Sequence, residues 1–153
     1  MEFAERFPSD ASPTGRMVND RCMAEFSITA DTRCPCGTGL TYGECCQPFH
    51  LATVLAPTAE RTMRARYSAF VVHNAAYLLA SWHPSTRPKT VTFDDEVEWQ
   101  RLEILGRTHG GMLDSDGTVE FRASYRSNGI RAEQHENSNF VRAGKAWLYV
   151  DEV

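Results

Sequence analysis

Four of the five cysteines in this sequence lie close together, at Cys34, Cys36, Cys45 and Cys46. Their spacing, C-x-C-x8-C-C, places one pair of thiols before a glycine-rich segment and a second pair after it. Thiolates are soft donors that bind zinc tetrahedrally at about 2.3 Å. The intervening glycines let the chain fold back around one ion, because glycine adopts positive φ without strain. The pattern therefore predicts a zinc ion held by four cysteines.

Four protein ligands close the coordination shell of such an ion. A catalytic zinc keeps one position for water or substrate, so we expect a structural zinc, one per chain, and no chemistry at the metal. Two alternatives stay open: a disulfide framework, and thiols buried as small apolar groups. A bridge between the neighbours Cys45 and Cys46 would strain disulfide geometry, which favours metal. His50 could replace one cysteine ligand, and Cys22 is expected to be a free thiol.

The run CPCGTGLTYGECC, residues 34–46, resembles the SEC-C motif. That motif is a small zinc module found at the C-terminus of the bacterial translocase ATPase SecA and in many other proteins. The resemblance implies that the positions of Cys34, Cys36, Cys45 and Cys46 bind the metal. It also implies a protein partner contacted through the module, with secretion or ribosome-associated factors as the analogous partners.

The composition is that of a globular protein, with 42% hydrophobic and 24% charged residues in a chain of 153. This length suffices for one core and a small accessory module. The net charge of −4 argues against a nucleic-acid partner, which requires a basic surface. The sequence shows neither a secretory leader nor an apolar segment long enough for a membrane span. We therefore expect a cytoplasmic protein, in which the thiols stay reduced.

Three regions are expected along the chain: a flexible tail over residues 1–31, a zinc-binding module over 32–50, and an α+β domain over 51–153. In the last region a helix should begin after the N-cap Thr58. Its buried stripe is formed by Met63, Tyr67, Phe70 and Val71, which recur at helical spacing. Arg61, Arg64 and Arg66 are interpreted as a solvated face with one buried partner.

A second helix is predicted over 75–82, with Asn74 as its cap and His83-Pro84 as its end. From residue 98 the hydrophobic period changes to two, which is typical of strands. Asn128-Gly129 predicts a tight hairpin. The predicted strands span residues 98–108, 118–126, 130–142 and 146–151.

Helices followed by a meander of long antiparallel strands predict an α+β fold, with helices packed on one face of a curved sheet. The cone-shaped, cystatin-like fold of the nuclear transport factor two superfamily has this order of elements. Such a fold has a pocket between its helices and its sheet, where ligands can bind.

A second resemblance extends over residues 32–151. The segments MRARYSAF (63–70), YL (77–78), WHP (82–84), ENSNF (136–140) and WLYVD (147–151) are similar to successive motifs of the YchJ-like family of bacterial proteins. The resemblance implies an N-terminal SEC-C motif before a domain of the nuclear transport factor two type. No biochemical function is established for that family, and a homodimer formed through the sheet is implied only by analogy with the superfamily.

The last hairpin decides which residues could line a pocket. With Gly144-Lys145 at its tip, Arg142 opposes Trp147, Phe140 opposes Tyr149 and Ser138 opposes Asp151. Glu136 shares this face and could act as a general base if burial raised its pKa. The pocket candidates are Arg64, Tyr67, Trp82, His83, Glu136, Ser138, Trp147 and Tyr149.

Each candidate also has a purely structural interpretation. The aromatic residues could be core, Glu136 a satisfied ion pair, and His83 a residue that ends a helix. The sequence contains no G-x-S-x-G, phosphate-binding loop or H-E-x-x-H motif, so no residue is assigned a catalytic role. The first hypothesis is a zinc-binding adaptor. The alternative is a small-molecule-binding or enzymatic domain that uses the pocket and Glu136.

Overall fold

The structure is a computed structural model that describes residues 27–153. The predictions for Cys22 and for most of the N-terminal tail lie outside these residues. In chain order the elements are a 3₁₀ turn Tyr42–Glu44, α1 Gln47–His50, α2 Ala59–Val71, α3 Ala75–Ala80, β1 Val97–His109, β2 Asp116–Ser127, β3 Ile130–Ala143 and β4 Ala146–Glu152.

Both predicted helix caps are confirmed. The backbone N–H of Arg61 donates to the Thr58 hydroxyl at 3.2 Å, and that of Tyr77 donates to the Asn74 side-chain oxygen at 3.0 Å. The short helix α1, which begins beside a proline, was not predicted within the connector.

The second predicted helix is two residues too long, because α3 ends at Ala80 rather than Trp82. The Ser81 hydroxyl donates to the Tyr77 carbonyl at 2.8 Å, and serine that bonds back to the preceding turn weakens helix continuation. Trp82 then leaves the helix and forms an isolated parallel bridge with Tyr149 of β4. The end of the helix is therefore set by contact with the sheet.

The four strands form one antiparallel sheet in the order β1-β2-β3-β4, as predicted. Asn128 and Gly129 adopt φ of 50° and 78°, the two positive values that a tight hairpin needs. Each strand begins and ends within two residues of its predicted bounds.

The predicted register of the last hairpin is correct at two pairs and wrong at the third. Phe140 faces Tyr149 and Arg142 faces Trp147, whereas Ser138 faces Glu152 instead of Asp151. The register shifts between Ser138 and Phe140, so β4 contributes one extra residue there, which is a β-bulge. Ser138 nevertheless stays on the buried face, where it is 1% exposed.

The two faces of the sheet differ in polarity. Val119, Phe121 and Ala123 of β2 are buried on one face, where α2 packs against β1, β2 and β4. On the opposite face Arg122 lies 3.7 Å from Glu103, and charged side chains dominate. The helices thus cover a single face, which confirms the α+β architecture. No helix within residues 27–153 is long and apolar enough to cross a membrane.

Candidate functional site

The four clustered cysteines form a compact group of sulfur atoms. Their Sγ atoms all lie within 4.8 Å of one another, and none of the four is more than 3% exposed. The Sγ of Cys45 lies 3.5 Å from that of Cys36 and 3.8 Å from that of Cys46. A disulfide would need about 2.05 Å, so these thiols are unbridged. Four ligands at 2.3 Å from a zinc define a tetrahedron with edges of about 3.8 Å, which the two sulfur distances fit.

Backbone hydrogen bonds bring the two cysteine pairs together. The N–H of Cys34 donates to the carbonyl of Leu40 at 2.8 Å, and the N–H of Tyr42 donates to the carbonyl of Thr32 at 2.7 Å. Gly37 allows the intervening reversal, since its φ is 83°. The 3₁₀ turn that follows delivers Cys45 and Cys46 beside the first pair.

The thiols compete for protons because they are buried so close together. Hydrogen bonds from the thiols of Cys34 and Cys46 hold the pKa of Cys36 below its ordinary value. Burial raises the pKa of Cys45 to about 11, although a hydrogen bond with Thr38 opposes this. Four thiolates packed this tightly repel one another, and a cation relieves that repulsion. The donor set therefore suits a metal ion.

Helix α2 contributes two further groups to the surroundings of the cysteines. The hydroxyl of Ser68, which is fully buried, lies 3.4 Å from Cys46 Sγ and 3.6 Å from Cys34 Sγ. The guanidinium of Arg64 donates to the Cys36 carbonyl at 2.7 Å. Hydrogen-bond donors around metal ligands orient them and stabilise their charge. These contacts were not predicted, although Ser68 lies one residue from Tyr67 of the buried stripe.

His50 does not join the sulfur cluster, so the alternative in which it replaces a cysteine is not supported. Its Nδ1 lies 2.6 Å from the Tyr42 hydroxyl, and its Nε2 lies 2.8 Å from the Ala65 carbonyl. A carbonyl only accepts, so Nε2 donates and Nδ1 accepts from the tyrosine. Burial lowers the pKa of His50, which favours this neutral form. The residue ties the end of α1 to α2.

Two stretches of the chain match known protein families. Residues 32–48 match the SEC-C motif, and residues 58–152 match the middle domain of YchJ, which is nuclear transport factor two-like. A UPF0225 protein of Corynebacterium glutamicum is 50% identical over 119 residues, which cover 76% of this chain and 93% of the relative. The chain belongs to this UPF0225, YchJ-like family.

Other relatives support the same assignment. A UPF0225 protein of Streptomyces avermitilis is 52% identical over 118 residues, covering 77% of this chain and 81% of the relative. The solution structure of a SEC-C motif protein from Rhodopseudomonas palustris has a TM-score of 0.69 and 32% identity, covering 79% of this chain and 97% of that one. A crystal structure of a SEC-C motif protein from Psychrobacter arcticus has a TM-score of 0.67 and 28% identity, covering 82% of this chain and 84% of that one.

The sheet of the YchJ-like domain holds a second polar group, centred on Glu136. Its side chain is 3% exposed, and its Oε1 accepts from the Ser138 hydroxyl at 2.6 Å and from the Tyr149 hydroxyl at 3.4 Å. Burial raises the pKa of Glu136, and the Ser138 hydrogen bond offsets part of that rise. Within residues 27–153 no cationic side chain forms a salt bridge with it. The Gln134 amide donates to its Oε2 at 3.5 Å, so uncharged donors satisfy this carboxyl.

Arg66 is buried, and its interpretation as part of a solvated face is wrong. It is 2% exposed, and its guanidinium lies 4.8 Å from the ring centre of Trp82 and 4.7 Å from that of Tyr149. It also donates to the Ser81 hydroxyl at 2.7 Å. Burial lowers the pKa of Arg66 to about 10, so it stays charged at neutral pH. Arg66 follows Met63 by three residues on the helix, a spacing that places both on the same buried face. This spacing could have predicted the burial of Arg66.

The remaining pocket candidates have separate surroundings. The Trp82 and Tyr149 rings meet edge to face at 5.3 Å, and Tyr67 meets a sheet residue, Trp99, at 5.9 Å. The indole N–H of Trp147 donates to the Pro57 carbonyl at 3.1 Å, and His83 Nδ1 lies 2.7 Å from the Ser85 hydroxyl. The structure therefore brings together Glu136, Ser138, Tyr149 and Trp82, while Arg64 contacts the metal module.

Proposed function

We propose that this YchJ-like protein is a zinc-stabilised adaptor that binds a protein partner through its metal module, residues 32–50. The supporting observation is the set of four buried cysteine sulfurs within 4.8 Å of one another. Four thiolates complete a zinc shell and leave no position for substrate, so the ion has a structural role. Such a site needs reduced thiols, which favours the cytoplasm.

The loop between the cysteine pairs is the part of the module that a partner could contact. Leu40 is an apolar side chain in this loop and is 44% exposed. The other side of the module packs on α2 through Ser68 and Arg64. A loop held at both ends by a metal loses little conformational entropy on binding, which favours recognition. The resemblance to the SecA module supports a protein as the partner.

Small-molecule binding or catalysis around Glu136 is the second candidate function. The supporting observation is a buried carboxyl whose pKa is raised by desolvation, as in many general bases. Trp82 and Tyr149 pack against each other beside it, which limits the space for a substrate. We therefore place this function second.

Metal analysis tests the first part of the proposal. Protein purified without added zinc should contain close to one zinc per chain by elemental mass spectrometry, and the Cys36→Ser variant should contain much less. A wild-type protein that contains no zinc, and whose stability is unchanged by Cys36→Ser, would refute a structural metal.

A matched pair of leucine variants tests the adaptor role. We expect Leu40→Asp to abolish the capture of a protein partner by crosslinking in cells. The control variant Leu113→Asp should still capture that partner, because Leu113 lies outside the module and is 99% exposed. Zinc content should be normal in both variants. Equal capture by both would rule out the Leu40 loop as the contact surface.

A further inference from the structure

A cavity of about 260 Å³ lies where the metal module, the helices and the last strand meet. Its walls come from the end of α1, the connecting residues 52–56, both longer helices, and residues 146–148 of β4. Neither the four cysteines nor Glu136 line it. The cavity is thus separate from both polar sites described above.

No charged side chain lines this cavity. Four of its five polar side chains are already engaged inside the protein, among them Trp147, whose indole N–H donates to the Pro57 carbonyl. His50 has both ring nitrogens hydrogen-bonded, the Thr62 hydroxyl donates to the Thr58 carbonyl at 3.2 Å, and the Ser81 hydroxyl bonds to Tyr77 and Arg66. An ionic ligand would lose its hydration there without gaining a partner of opposite charge. The lining therefore selects uncharged molecules.

Tyr77 is the fifth polar residue of the lining. Among residues 27–153 its hydroxyl has no hydrogen-bond partner, and its ring lies 4.8 Å from that of His50. Burial raises the pKa of Tyr77, so the phenol stays protonated and can both donate and accept. Tyr77 is therefore a lining residue that carries one uncommitted polar group.

The connecting segment forms an apolar and partly open wall. Val54 and Leu55 line the cavity, yet they remain 51% and 55% exposed. Ala52 adopts a φ of 57°, a left-handed conformation that costs a residue with a Cβ about 1 kcal/mol or more. A ligand that covered the two aliphatic side chains would gain hydrophobic free energy.

We propose that this cavity binds an uncharged, mainly apolar small molecule that carries one polar atom for the Tyr77 hydroxyl. An apolar protein cavity of about 150 Å³ holds one benzene. By that scale the present cavity holds about ten non-hydrogen atoms, the size of a fused bicyclic aromatic compound. The proposal does not depend on the adaptor role of the metal module.

Indole and indene test the proposal, because they share a shape and only indole carries an N–H group. Each is titrated into the zinc-loaded full chain and followed by the chemical shifts of backbone amides. Indole should bind saturably with a dissociation constant of about 0.1–1 mM, with shifts concentrated at Tyr77, Trp147 and their neighbours. Charged indole-3-acetate should bind at least tenfold more weakly.

Two variants and a control complete the experiment. Tyr77→Phe should weaken the binding of indole about three- to tenfold and leave the binding of indene unchanged. A general loss of folding would weaken the binding of both compounds. Ala80→Phe, which fills the cavity, should abolish both titrations, whereas Ala143→Phe, at an exposed alanine outside the lining, should not. Unsaturable shifts with indole, or undiminished binding to Ala80→Phe, would overturn the proposal.

Discussion

The hydroxyl of Ser68 lies 3.4 Å from the sulfur of Cys46, so helix α2 of the YchJ-like domain reaches the metal-binding cysteines. A zinc ion with four thiolates carries a net charge of about −2, and burying that charge requires nearby donors. Ser68 supplies one donor, and Arg64 brings a positive charge to the Cys36 carbonyl. The metal module and α2 should therefore behave as one unit.

Replacing Ser68 by alanine should release zinc faster. Loss of an outer hydrogen bond to metal ligands typically costs about tenfold or more in metal affinity, so we expect zinc transfer to a chromogenic chelator to accelerate about tenfold. Ser124→Ala, on the opposite face of the sheet, is the matched control and should leave the rate unchanged. Identical rates in both variants would show that the Ser68 contact does not stabilise the bound metal.

Removing the metal should destabilise the whole chain in a single transition. The module is joined to α2 by the Ser68 and Arg64 contacts and by the His50 bond to the Ala65 carbonyl at 2.8 Å. Because zinc binding is coupled to folding, its loss should lower the melting temperature by about 10 °C. Calorimetry before and after chelation measures this shift, and added zinc should reverse it. A sheet domain that melts at an unchanged temperature would mean that the module folds independently.

Arg66→Lys should destabilise the protein by about 2 kcal/mol. Lysine cannot reproduce the planar stacking between Trp82 and Tyr149 together with the hydrogen bond to Ser81. Arg61→Lys is the control, since Arg61 also lies over a ring, that of Phe49 at 5.4 Å, but at a partly exposed position. Urea unfolding should show a change below about 0.5 kcal/mol for the control. Equal effects would mean that burial of Arg66 adds no stability.

Local patterns in the sequence predicted most of the fold. The caps Thr58 and Asn74, the Asn128-Gly129 turn and the alternation of β2 each depend on neighbours in the chain, and all are confirmed. The bulge opposite Ser138 was missed because it adds one residue without altering the hydrophobic pattern around it. Helix α3 ends early because Trp82 pairs with Tyr149, a residue distant in sequence.

The candidate sites were predictable to different degrees. The cysteine ligands are adjacent in sequence, so their spacing predicted the cluster that the structure shows. Arg64 and Ser68 reach that cluster from a separate helix, and such contacts depend on tertiary packing that spacing does not encode. Of the predicted pocket candidates Trp147 alone lines the cavity beside Tyr77, because that lining is assembled from separate parts of the chain.

Glu136→Gln should stabilise the protein increasingly as the pH rises. Burial raises the pKa of Glu136 above the ordinary value of 4.5, so the folded state keeps a proton that the unfolded state has released. Stability from this residue is therefore complete below about pH 4.5 and is lost as the pH rises towards the raised folded value. Glutamine still accepts hydrogen bonds from Ser138 and Tyr149. Because it does not titrate, the variant does not lose stability as the pH rises.

The measurement is the difference in free energy of unfolding between Glu136→Gln and wild type, from urea titrations at several pH values. The difference should grow in favour of the variant above pH 4.5 and then level off. Any pH dependence of the metal site is common to both proteins and therefore cancels in this difference. Glu133→Gln is the control, since Glu133 is exposed and lies 3.6 Å from Arg122, and it should show no such growth. A difference that turned against Glu136→Gln with rising pH would mean that Glu136 is a stabilised carboxylate.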